Sequence, residues 1–119
     1  MFKIVEAPSF KWPVTVHIPK DGGKFVTATF TAEFAALPQD EIDTALEQYR
    51  GGNLDSNFAT QVLINWNPGQ VQDSDGSELP YSDEAKEKLV RMSYVRNAVV
   101  EAFFDAVSGG VARRKNLKG

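Results

Sequence analysis

Two stretches near the start of the chain alternate with a period of two. In residues 12–18, Val14, Val16 and Ile18 alternate with polar or small residues, and in residues 25–31, Val26, Ala28 and Phe30 share one side. Alternation with β-branched and aromatic residues predicts half-buried strands. Between them lies Pro19-Lys20-Asp21-Gly22-Gly23-Lys24, whose Asp-Gly step supplies the positive φ of a tight turn. The pattern therefore predicts a β-hairpin. Residues 2–5 have the composition of a short third strand. Pro13 lacks an amide hydrogen, so its strand is expected at a sheet edge or to begin there.

Beyond residue 36 the apolar spacing becomes helical. Leu37, Ile42, Ala45, Leu46 and Tyr49 lie on one stripe, Pro38 stands near the helix start, and Asp40, Glu41 and Asp43 favour the positive end of the helix dipole. Gly51-Gly52 ends that helix. Phe58, Val62 and Trp66 predict a second helix over 55–65 or 56–65. A long loop over 67–81 is rich in Pro, Gly, Asp and Ser. Ser82 is a good N-cap for a third helix with Ala85, Leu89 and Met92 on its stripe.

A fourth helix spans 94–108 and has two adjacent apolar stripes: Val95, Val99, Ala102, Phe103 and Ala106, then Val100, Phe104 and Val107. A stripe this wide fits a central core helix or one that also packs on a partner. The fold expected is α+β: an N-terminal hairpin packed on about four C-terminal helices, in one domain over 1–112. A basic tail follows over 113–119.

Composition narrows the chemistry. The chain has 119 residues, 42% of them hydrophobic and 24% charged, which is enough for one core. It has no cysteine and one histidine, His17. Disulfides, thiol catalysis and cysteine-ligated metals are therefore excluded. The start of the chain lacks the apolar core of a signal peptide, and no apolar run approaches a membrane span. These features together point to a cytoplasmic, non-enzymatic domain with no cofactor.

Charge is segregated. Residues 1–32 carry four lysines against Glu6 and Asp21, a net +2, whereas residues 33–87 carry twelve acids against Arg50 and Lys86, a net −10. Residues 88–119 carry seven basic residues against Glu101 and Asp105, a net +5. Such segregation can steer partners or copies together, unless folding brings the segments side by side. The acidic bulk argues against nucleic-acid binding.

Asp73-Ser74-Asp75-Gly76 invites comparison with a calcium loop, and Glu84 stands twelfth from Asp73. The glycine, however, falls at position four rather than six, so an acidic turn explains the residues better. No metal is assigned. The carboxylate pairs Asp40/Glu41 and Asp83/Glu84 stand at helix starts, where charge–dipole stabilisation accounts for them. His17 has no evident catalytic partner. Trp66 is expected in the core. Trp12 stands near a strand start, where it could anchor an interface. Arg113, Arg114 and Lys115 could dock on an acidic surface of a partner or of a second copy.

Residues 63–116 bring several short motifs together: Leu63-Ile64-Asn65-Trp66, an acidic turn with Asp73, Asp75 and Gly76, and Leu79-Pro80-Tyr81-Ser82. A helix with Leu89 follows, then one bearing Ala102-Phe103-Phe104, and then Arg114-Lys115-Asn116. This arrangement resembles the tail assembly chaperones of long-tailed, siphovirus-like bacteriophages and prophages. The resemblance implies a non-catalytic factor that binds the tape-measure protein, helps recruit tail-tube subunits, acts in the bacterial host cytoplasm and is absent from the mature virion. Many such proteins also exist in a longer, frameshifted form.

An unassembled tape-measure protein exposes apolar helical stripes, and a chaperone would cover them. The expected partner face, or self-association face of a homo-oligomer, comprises Phe103, Phe104 and Val107, with Trp12 and the Arg113, Arg114 and Lys115 tail as further contacts. The alternatives are a structural virion protein (a connector or tail-terminator subunit), an enzyme or ligand-binding domain with a site in the acidic middle, and a bacterial adaptor.

Overall fold

The computed structural model describes residues 8–108. Its elements are β1 (Ser9–Lys20), β2 (Lys24–Ala35), α1 (Gln39–Arg50), α2 (Phe58–Val62), β3 (Leu63–Trp66), α3 (Asp83–Val90) and α4 (Ser93–Val107). This is the expected α+β arrangement, an N-terminal hairpin packed on four helices. The strands form an antiparallel sheet in the order β1-β2-β3.

The hairpin register pairs Val14 with Phe30, Val16 with Ala28 and Ile18 with Val26, so the two alternating sets share one face. Gly22 and Gly23 have φ of +82° and +75°, which the tight loop between Lys20 and Lys24 requires. Pro13 lies on an edge strand, as its missing donor demands.

The third strand of the sheet is Leu63–Trp66, in a stretch where the sequence predicts the end of a helix. Phe58, Val62 and Trp66 do have helical spacing, but α2 stops at Val62. Leu63 to Trp66 then pairs with Ala32 to Phe34 through a register shift between Glu33 and Phe34. The inner end of β2 is buried, and its backbone groups need partners that a helix could not supply. The strand expected over 2–5 lies outside the described residues.

Ser82 caps α3 as expected, its Oγ accepting the Ala85 N–H at 3.0 Å. Met92 is not on the α3 stripe. The helix ends at Val90, and Met92 sits at the junction with α4, 37% exposed.

α4 is a core helix. It packs across β1 and touches α2 and α3. Phe103 is fully buried, with its ring 5.5 Å from those of Phe34 and Phe58. Phe104 stacks on Phe58 at 5.4 Å and on Tyr49 at 4.9 Å. A second aromatic group joins Trp66 to Phe30 and Tyr81, and the Trp66 indole N–H donates to the Leu79 carbonyl at 3.0 Å.

Candidate interaction surface

The expected partner face does not survive as a unit. Phe103 is fully buried and Phe104 only 6% exposed, so neither is available to a partner while the core is intact. Their wide stripe is explained by a helix packed on several sides. Trp12 and Val107 are half-buried at the core margin. Arg113, Arg114 and Lys115 lie outside the described residues.

The acidic turn is a small hairpin in its own right. The Asp73 N–H donates to Ser77 O at 2.8 Å, the Gly76 N–H to Asp73 O at 2.9 Å, and the Leu79 N–H to Val71 O at 2.8 Å. Asp73 pairs with Lys88 at 2.7 Å and accepts the Ser74 N–H. Those two bonds, the lysine first, hold its carboxyl below the usual range. Asp75 is held low in the same way by the Ser77 hydroxyl and N–H. The carboxylates thus serve the turn itself. Among the described residues, no group of three or more His, Cys, Asp or Glu is arranged to hold a metal.

A surface cleft of about 280 Å³ lies between α1 and α4, lined by Tyr49, Leu54, Asp55, Ala59, Arg96 and Val100. It is at or below the small end of the roughly 300–1,000 Å³ usual for ligand pockets. His17 is exposed, with Nδ1 3.4 Å from Thr27 Oγ1.

The outer half of the hairpin is the surface that sequence reasoning missed. Residues 24–29 are all exposed, and Phe25 and Val26, at 65% and 49%, are the most exposed large apolar side chains among the described residues. Element lengths explain this. Twelve strand residues reach about 40 Å, whereas the fifteen of α4 reach about 22 Å. α4, the helix packed on β1, is therefore too short to cover the whole hairpin. That mismatch was the available signal. Period-two alternation alone placed Val26 on the core side without revealing that the core stops short of it.

Backbone directions are fixed at two points of the hairpin, within β2 and at its open end. The Thr31 N–H donates to Gln70 Oε1 at 2.6 Å, and Thr31 O accepts from the Asn67 N–H, so both Thr31 groups point away from β1. The Ala36 N–H donates to Pro8 O, which puts the even-numbered pairs in hydrogen-bonding positions. In an antiparallel ladder these roles alternate. Every odd-numbered residue of the hairpin therefore aims its backbone groups outward. On β1 two of those outward positions are Pro13 and Pro19, which blunt that edge. On β2 the outward positions beyond β3 are Phe25, Thr27 and Thr29, and none is proline.

Charge at the tip is also uneven. Lys20 stands directly opposite Lys24, an arrangement that costs stability in isolation.

No protein family, curated protein or solved structure matches this chain. Among the described residues, no helix is long and apolar enough to cross a membrane.

Proposed function

We propose that the chain is a tail assembly chaperone of a long-tailed phage or prophage, which binds the tape-measure protein and helps recruit tail-tube subunits. It would act in the host cytoplasm and be left out of the finished particle. The observation that supports this reading most is the hairpin arm. An apolar tip with Phe25 and Val26 stands clear of a closed core, as a surface for capturing another chain should.

The residues carrying the family resemblance add to it. Trp66, Leu79, Tyr81 and Ser82 form one packed unit, with the indole bonded to Leu79 O, Tyr81 against the Trp66 ring, and Ser82 starting α3. The resemblance thus rests on residues that act together. In this reading the partner surface moves from Phe103 and Phe104 to the outer hairpin.

The test is to locate the long helical tape-measure reading frame that this reading expects beside the gene and to co-express its product with this chain. The expected result is that the tape-measure protein stays soluble and co-elutes with this chain, and that mass spectrometry of purified particles lacks the chain. Unchanged tape-measure solubility would sink the reading. Stoichiometric presence in particles would favour a connector or tail-terminator subunit instead.

A further inference from the structure

We infer that the open outer edge of β2 pairs with the same edge of a second copy, giving a two-fold dimer centred on Thr27. This concerns the chain's own assembly and does not depend on the chaperone reading.

The argument begins with the two edges of the hairpin. β1 carries prolines at two outward positions, 13 and 19, so it cannot supply a continuous row of donors. β2 presents the N–H and C=O groups of Phe25, Thr27 and Thr29, which pair with no strand among the described residues, and β3 pairs with β2 only further in, from Ala32 to Phe34. One edge is thus protected and the other is a template for strand addition.

The open edge is complementary to itself. Antiparallel pairing about Thr27 sets Phe25 opposite the second copy's Thr29, Thr27 opposite its own mate, and Thr29 opposite the second copy's Phe25. All of these are positions whose backbone groups point outward. On the other face Val26 meets the second copy's Ala28. No like charges stand opposite one another, and the pairs are threonine with threonine, aromatic with threonine, or apolar with small apolar.

Charge selects the same register. Lys24 of one copy then stands beside Phe30 of the other, and the tip with Lys20 points on toward Thr31. There the Gln70 side chain closes the edge. Gln70 follows Gly69, whose N–H donates to Glu78 Oε2 at 3.2 Å, so an acid of the 73–78 turn stands beside that point. The two-fold axis brings each tip, where Lys20 and Lys24 outweigh Asp21, toward the other copy's acidic turn. This offsets the repulsion that Lys20 and Lys24 exert on each other within one chain.

The test is sedimentation velocity on the full chain over a concentration series, with two variants. The expected mass rises toward twice the chain's 13.1 kDa, and raising salt weakens the dimer. Thr27→Pro removes one outward N–H and no backbone bond within the hairpin, and of side-chain bonds only the exposed 3.4 Å contact between Thr27 Oγ1 and His17 Nδ1, so the expected result is a folded monomer at every concentration. Thr27→Cys introduces the sole thiol of the chain. Hydrogen-bonded antiparallel partners have Cα atoms about 5.5 Å apart, within the disulfide range of about 4.4–6.8 Å. Mild oxidation should therefore link Thr27→Cys into a dimer, whereas Thr15→Cys, on the blunted strand, should stay monomeric.

A wild-type chain that is monomeric throughout overturns the proposal, and so does a dimer that survives Thr27→Pro. If Thr27→Pro fails to fold, the cross-link decides: no preference for position 27 over position 15 defeats the register. If the full chain is monomeric and only removal of residues 1–7 or 109–119 permits dimerisation, the proposal is overturned for the full chain and the edge belongs to the chain's own terminus.

Discussion

The two halves of the hairpin have the same alternating pattern and opposite fates. In the inner half, Val14, Phe30, Ala32 and Phe34 are buried, with Phe34 at the centre of the aromatic cluster. In the outer half, Ile18 and Val26 occupy the same face of the same strands, yet Val26 is about half exposed. The difference is what lies above each half. The first packs under α4 and the aromatic cluster, whereas residues 24–29 of the second are exposed. Alternation thus reports which side of a strand is apolar, and the reach of the covering helix decides whether that side becomes core or contact surface.

The strongest way to break the comparison is to attack the inner half. Phe103→Ala removes a ring that touches Phe10, Phe34, Phe58 and Phe104. A buried Phe→Ala change costs about 3–5 kcal/mol, a large part of a small domain's stability. Urea denaturation should show that loss. A change below about 1 kcal/mol would mean that the aromatic cluster is not the core.

Next comes Trp66→Phe. It keeps an aromatic ring against Tyr81 but leaves Leu79 O without its donor. The expected loss is about 1–3 kcal/mol in the same assay. Loosening should concentrate in the 71–79 hairpin, read as faster amide exchange at Leu79 than at Val99.

These sites also show how much was legible beforehand. The hairpin, its facing residues and the Ser82 cap follow from short-range rules, because turn geometry, strand period and capping are local. α2 and β3 were misread because the spacing of Phe58, Val62 and Trp66 is truly helical. Only the unmet backbone groups of β2, some thirty positions earlier in the chain, draw residues 63–66 into a strand. The burial of Phe103 and Phe104 was illegible for a related reason. Phe103 and Phe104 look like a surplus stripe until α2, the Tyr49 ring and the sheet are known to converge on them. The exposed tip depends on comparing the length of one element with that of another, which no local window contains.

A smaller effect is expected at Ser82. Its hydroxyl satisfies one of the free N–H groups at the start of α3, so Ser82→Ala should cost about 1 kcal/mol. α3 packs on both α2 and α4, so the loss should appear as a shift of the single unfolding transition. A separate early melting of α3 would mean that the helix is not coupled to the core.

The smallest stability effect, and the one that sharpens the comparison most, belongs to Phe25. Its side chain is 65% exposed, far from the aromatic cluster, and paired across the strands only with Pro19. Phe25→Ser should leave the stability of the dilute monomer within about 0.5 kcal/mol of the parent, because little apolar area is uncovered and no backbone bond is lost. The same change should weaken whatever the outer hairpin holds, since an exposed aromatic beside an open strand edge is a contact waiting for a partner. Paired measurements on one variant separate the two halves: urea midpoints at low concentration read the inner half, and self-association or tape-measure binding reads the outer. Unchanged stability with lost association assigns Phe25 to an interface. If stability falls with association intact, the tip belongs to the core after all, and the division between covered and uncovered strand lies nearer the turn than Ile18.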